Sequence, residues 1–284
     1  MGKHHDHHDV NLSELPKWVL TPIRNCLQIL DDENQFLHLT IRGLSSMQGF
    51  PQLLEAIQNY DDVVGNNDPD KFGRLELAKR DAAWIERESK SGFPLLHSHS
   101  VVAIWASLEN LCDDLLTNWL ENRPAAWEID QIRKLRIPLA KFRELSESEH
   151  SRYVVLELRR SLGTELRTGP GRLVPLLDVF GLAPRMGDGL RRALVELGQI
   201  RNVIVHAGGR ADKRLVENCP WLNYEIGSEI RIQHALWAWY RLASERFAER
   251  VLNQVLLAFG FEGCNCVGMD DVPLRPVSPR NEQM

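Results

Sequence analysis

Between Val101 and Trp119 the apolar residues Val101, Ile104, Trp105, Leu108, Leu111, Cys112, Leu115, Leu116 and Trp119 return every three or four positions. That period belongs to one long amphipathic helix, whereas a strand would alternate every second residue. A stripe of this length must be covered by other elements, and the rest of the chain offers mainly more helices. Ile23, Cys26, Leu27 and Leu30 form one further row, with Thr21 and Pro22 as its expected start; Leu53, Leu54 and Ile57 form another. Lys71–Ser91 is a charged helix with Leu75, Leu77, Ala78, Ala82 and Ile85 on its drier side. Helical runs are also expected over Gln131–Glu144, His150–Leu162 (with Arg159 and Arg160 on the wet side), Leu173–Phe180 and His234–Phe259. The fold class read from this is all-α, a multi-helix bundle with an additional N-terminal helical region. Tyr224, Ile226, Ile230 and Ile232 around Gly227-Ser228 add a small β-hairpin insert.

Gly92-Phe93-Pro94 breaks the pattern and divides the chain into an N-terminal helical region (1–91) packed on a helical domain (92–262). Residues 263–284, with three prolines, read as a flexible tail. The His-rich start, His4, His5, His7 and His8, reads as a solvated segment without catalytic weight. His97 and His99 read as surface residues on an extended segment, and Cys264 and Cys266 as a pair lacking a second pair at zinc spacing. No metal site and no cofactor is expected. A net charge of −5 supplies no general field for nucleic acid, so phosphate contacts must come from local clusters such as Arg191, Arg192, Arg201, Arg210, Lys213 and Arg214. Scattered cysteines and the lack of a long apolar run point to a cytoplasmic chain with no membrane partner.

One stretch carries chemistry. Gly187–Gly209 reads as a helix with Asp188 as N-cap and Gly208-Gly209 as its stop. Leu190, Ala193, Leu194, Leu197, Ile200 and Ile204 form its apolar arc, and at about 100° per residue Arg201 falls inside that arc. A guanidinium keeps its charge, so it needs an acceptor there. Glu109 or Asp113 on the long helix could provide one as a structural ion pair. Asn202 and His206 are four apart and share a second face, with His206 in the last turn. In a regular helix Arg201 and His206 point about 140° apart. Either the helix loosens at Val205, or the guanidinium comes from a second copy.

The spacing Arg201-Asn202-x-x-x-His206, late in a helix and followed by glycines, resembles the R-x4-6-H motif of the HEPN superfamily over roughly residues 93–262. The resemblance implies a HEPN-like bundle and a metal-independent endoribonuclease whose two protomers pair their motifs in one cleft, as a toxin or defence effector, in some cases with an inhibitor (antitoxin) protein. RNA is then the partner, and Arg201, Asn202 and His206 the catalytic set, with Arg210 contacting substrate. The chemistry suits the residue types. RNA cleavage without metal needs a base for the 2′-OH, an acid for the leaving oxygen and a cation for the phosphorane. Imidazole can fill either proton role, and one His206 per chain calls for a homodimer. Gly208 stands where HEPN toxins regulated by tyrosine modification carry tyrosine. The competing expectation is a non-catalytic helical interaction module, or a nucleotide sensor gripping phosphate with Arg201.

Overall fold

The computed structural model describes residues 14–64, 70–163, 169–261, 272 and 275–276. Eleven helices are present among them: α1 (Lys17–Met47), α2 (Phe50–Val64), α3 (Lys71–Lys90), α4 (Pro94–Asn122), α5 (Asp130–Arg133), α6 (Leu139–Glu144), α7 (Glu147–Ser161), α8 (Pro170–Val179), α9 (Asp188–His206), α10 (Lys213–Asn218) and α11 (His234–Ala258). Short 3-10 turns at Pro124–Glu128 and Pro220–Leu222 link them. The all-α class holds.

The stripe of α4 is the axis of the bundle. Val101, Ile104, Leu108, Leu111, Cys112, Leu115 and Leu116 are buried along it, and α1, α7, α8, α9 and α11 pack around it. Burying a Leu or Ile fully is worth about 1.5–3 kcal/mol each, so this one helix nucleates a large share of the core. The parallel course of α4 and α11 is fixed at both ends. Trp237 Nε1 donates to Ser100 Oγ at 2.9 Å near the start, and Trp119 meets Phe259 edge-on near the finish.

Helix α1 belongs to this same core through Val19, Leu20, Ile23, Cys26, Leu30 and Leu37, so one core runs across the expected boundary at residue 91. The helix starts at Lys17, four residues before the expected N-cap Thr21, and Pro22 lies inside it. Proline has no N–H to give the carbonyl four residues back. Here that carbonyl, of Trp18, instead accepts Asn118 Nδ2 from α4 at 2.8 Å, which is why the proline is tolerated. Beyond Leu37, α1 leaves the core, and α2 and α3 fold back as an arm that contributes nothing to the main cluster.

Three expectations change. The β-hairpin does not form: Ala211 N–H reaches Ser228 O (2.8 Å), and Gly227 and Ile230 N–H reach Ala211 O and Gly209 O (2.7 and 2.8 Å). The segment after α9 thus takes the partner that Tyr224–Ile226 was expected to be. Only an isolated antiparallel bridge, Arg210 with Glu229, results. Arg159 is buried rather than wet, paired with Asp113. His97 is buried too, because the helix already begins at Pro94 and carries the ring inward. In the C-terminal segment, Val272 is buried and Arg275 is ion-paired to Glu196, so the chain is held against the bundle at those points. The His-rich start and Cys264 and Cys266 lie outside the described residues.

Candidate functional site

Helix α9 carries all three motif residues, and its surroundings explain its position. Its N-cap is Gly187, with Asp188 as the first helical residue, where a carboxylate still complements the dipole. One side lies against the turn at Gly169 so closely that no side chain fits between. A Cβ on Gly198 would meet Gly169 N at 3.0 Å and the Trp105 ring at 3.2 Å. A Cβ on Gly169, which has φ of +52°, would lie 2.5 Å from the Val195 backbone. At the far end Gly208 and Gly209 adopt left-handed angles of +58° and +74°. They turn the chain so that Ala207 and Gly209 N–H both return to Val203 O, at 2.9 and 3.1 Å.

A second anchor is Glu196, fully buried on α9. Its carboxylate accepts Tyr240 Oη–H at 2.8 Å, Trp221 Nε1–H at 2.9 Å and Arg275 Nε–H at 2.6 Å. A buried carboxylate is costly unless its lone pairs are met, and here donors from three separate segments meet them. Burial, followed by the Glu196 charge, pushes the Tyr240 phenol well above its ordinary pKa, so it stays a donor. This residue was missed in the sequence because it lies outside the apolar arc of α9. The signal that could have found it is the row Glu196, Ile200, Val203, which continues the buried surface sideways.

Arg201 is half-buried, as its place in the arc requires. Its Nε is buried and finds no hydrogen-bond partner among the described residues. The two carboxylates considered for it are occupied: Glu109 Oε1 lies 2.6 Å from Arg172 Nε, and Asp113 pairs with Arg159. The Glu109–Arg172 contact is an ion pair by proximity, without an aligned N–H. What Arg201 does hold is its neighbour, donating from Nη1 to Asn202 Oδ1 at 3.1 Å. That bond uses the carbonyl end of the Asn202 amide.

His206 is exposed as the last residue of α9, and the helix remains regular through it. The loosening at Val205 therefore does not occur, and within one chain the guanidinium and the imidazole leave the helix on different sides. No hydrogen bond joins Asn202 to His206. The arginine cluster is spread out by other contacts. Arg210 donates to Gly227 O at 3.1 Å, Lys213 pairs with Glu217 at 3.6 Å, and Arg192 lies 4.3 Å over the Trp221 ring.

Two surface depressions lie elsewhere. One of about 260 Å³ is lined by Asp113, Arg152 and Tyr153, and one of about 460 Å³ by residues of α2 and α3; none of Arg201, Asn202 and His206 lines either. The first depression carries a carboxylate, a guanidinium and a phenol of its own, but it stands apart from the three motif residues of α9. Among the described residues no group of three or more His, Cys, Asp or Glu is arranged to hold a metal ion, and no helix is long and apolar enough to cross a membrane. Compared with protein-family models, curated proteins and solved structures, the chain matches none.

Proposed function

We propose that this protein is a metal-independent endoribonuclease of HEPN type, acting through Arg201, Asn202 and His206 at a cleft between two copies. The observation that carries the reading is Arg201: a half-buried cation whose Nε finds no acceptor among the described residues and whose candidate carboxylates are taken by other arginines. A phosphodiester oxygen supplies the missing acceptor, and a guanidinium binds phosphate in a bidentate fork.

The roles follow from the positions. Arg201 offsets charge on the pentacoordinate phosphorus, Asn202 donates an amide N–H to a phosphate oxygen, and His206, exposed at the helix end, moves protons. Since the two polar faces diverge within one helix, Arg201 of one copy works with His206 of the other, and the second pair completes the acid and base set. The products are a 2′,3′-cyclic phosphate and a 5′-hydroxyl.

The test is incubation of RNA in EDTA with the wild type, Arg201→Ala and His206→Ala. Wild-type cleavage is expected to persist in chelator. Loss of the arginine lowers the rate about 10²–10³-fold, as for other preorganised charge donors. Loss of the histidine lowers it about 10²–10⁴-fold. Cleavage that requires added metal, or that survives in both variants, removes the proposal. Folded protein that shifts in melting temperature with nucleotides yet never cuts RNA identifies a phosphate-sensing module instead.

A further inference from the structure

The buried carboxylate of Glu196 has one charged partner among the described residues, and it comes from far along the chain. Tyr240 and Trp221 bring neutral donors, so neither balances the charge. Arg275 does, through Nε at 2.6 Å, while its side chain stays 26 % exposed. The space it fills is therefore a slot that reaches solvent, with a carboxylate at its floor and a phenol and an indole beside it. Arg192, on the same helix as Glu196, lies over the Trp221 ring instead. Three residues before Arg275, Val272 is buried as well. Among the described residues no main-chain hydrogen bond ties 272, 275 or 276 to the helices. The segment is held as a ligand is held, by its side chains.

We infer that the slot over Glu196 is a recognition site for an arginine on an extended, proline-rich segment, and that residues 272–276 are its built-in ligand. The sequence supports that form. Pro273, Pro276 and Pro279 recur at every third residue, the period of a polyproline helix, in which Val272 and Arg275 fall on one side. Those are the two side chains that the fold buries or pairs. Segments of this kind dock with little conformational freedom left to lose. The floor selects the anchor. A neutral side chain would leave the Glu196 carboxylate buried without a counter-charge, and lysine lacks the inner N–H that Arg275 uses. A ligand carried on the same chain is present at an effective concentration on the order of mM, so the slot stays filled until the segment is displaced. The inference does not depend on the nuclease reading.

The test is a fluorescent peptide of residues 271–280 titrated onto the full-length chain, without RNA. The wild type, with its slot filled, should not bind it at micromolar concentrations. The full-length Val272→Asp/Arg275→Gln variant should bind it, read by anisotropy, and should regain melting temperature as peptide is added. Should the double variant lose helix by circular dichroism, Arg275→Gln alone takes its place. A peptide carrying Arg275→Ala should bind the variant at least about thirtyfold more weakly, the size of a hot-spot loss. A peptide carrying Arg280→Ala has the same charge as that one, yet should bind like the unchanged peptide. This comparison separates recognition from plain attraction of a basic peptide to a chain of net charge −5. No binding by the folded variants, equal weakening by the two alanine peptides, or binding to the wild type as tight as to the variant overturns the inference.

Discussion

Helix α9 and helix α2 break the same rule in opposite directions. The first takes charge into the interior, with Glu196 fully buried and Arg201 half-buried, while the second leaves six large apolar side chains in water. In α9 one of the two charges is answered inside the molecule by Tyr240, Trp221 and Arg275, while the other holds only the amide oxygen of its neighbour Asn202 among the described residues. In α2, Glu55, Gln58 and Asp62 are engaged by α3, and it is the apolar side that stays exposed among the described residues. The lesson is that packing within the chain accounts for most of each helix, but not for the Nε of Arg201 or for the exposed apolar side of α2.

That contrast can be broken at several points. The largest effect on stability is expected at Glu196. Glu196→Ala strands the buried Tyr240 phenol and the half-buried Arg275 and Trp221 donors, and should cost about 3–5 kcal/mol in denaturant unfolding. A loss under about 1 kcal/mol would mean the network is decorative. Gly198→Ala should cost about 1–3 kcal/mol, since the new methyl meets backbone at 3.0 Å and cannot be accommodated by turning a side chain.

A pH effect should come from the start of α4. His97 is packed against His234 and Trp237, and a carbonyl can only accept, so its Nδ1–H donates to Phe93 O at 2.9 Å. Nε2 then accepts from His234 Nδ1–H at 3.3 Å. Burial, with the nearby His234 adding to it, lowers the His97 pKa below its ordinary 6.5. The unfolded chain therefore takes up a proton that the folded chain resists. Stability is fully present above pH 6.5 and declines as pH falls from there towards the depressed folded value. His97→Gln should flatten the melting temperature across that acid window; an unchanged slope would assign it to other groups. The smallest effect belongs to the arm. Ile57→Asp should change unfolding free energy by no more than about 0.5 kcal/mol, because an exposed side chain has little to lose. A large loss would show that α2 is packed more tightly than its exposure implies.

The sequence was readable wherever neighbours along one helix decide the outcome. The stripe of α4, the glycine stop of α9 and the place of Arg201 in its arc needed only period and capping. It was unreadable wherever a distant segment decides. Glu196 draws its donors from residues 221, 240 and 275, and no local spacing points to them. The hairpin failed because alternation around Gly227 states that a segment can pair but not with whom, and Gly208-Gly209 delivered another segment first. For α2 the sequence offered Leu53, Leu54 and Ile57, of which only Leu54 turns partly inward; which side faces the chain depends on α3, whose lysines reach for Glu55 and Asp62.

The glycine-to-glycine contact behind α9 sets a mechanical limit. With main chain seated on main chain at Gly169 and Gly198, the helix has no cushion of side chain on which to roll or creep. The helix is thus held as a fixed platform: whatever meets Arg201 and His206 must come to them, because α9 cannot shift to meet it.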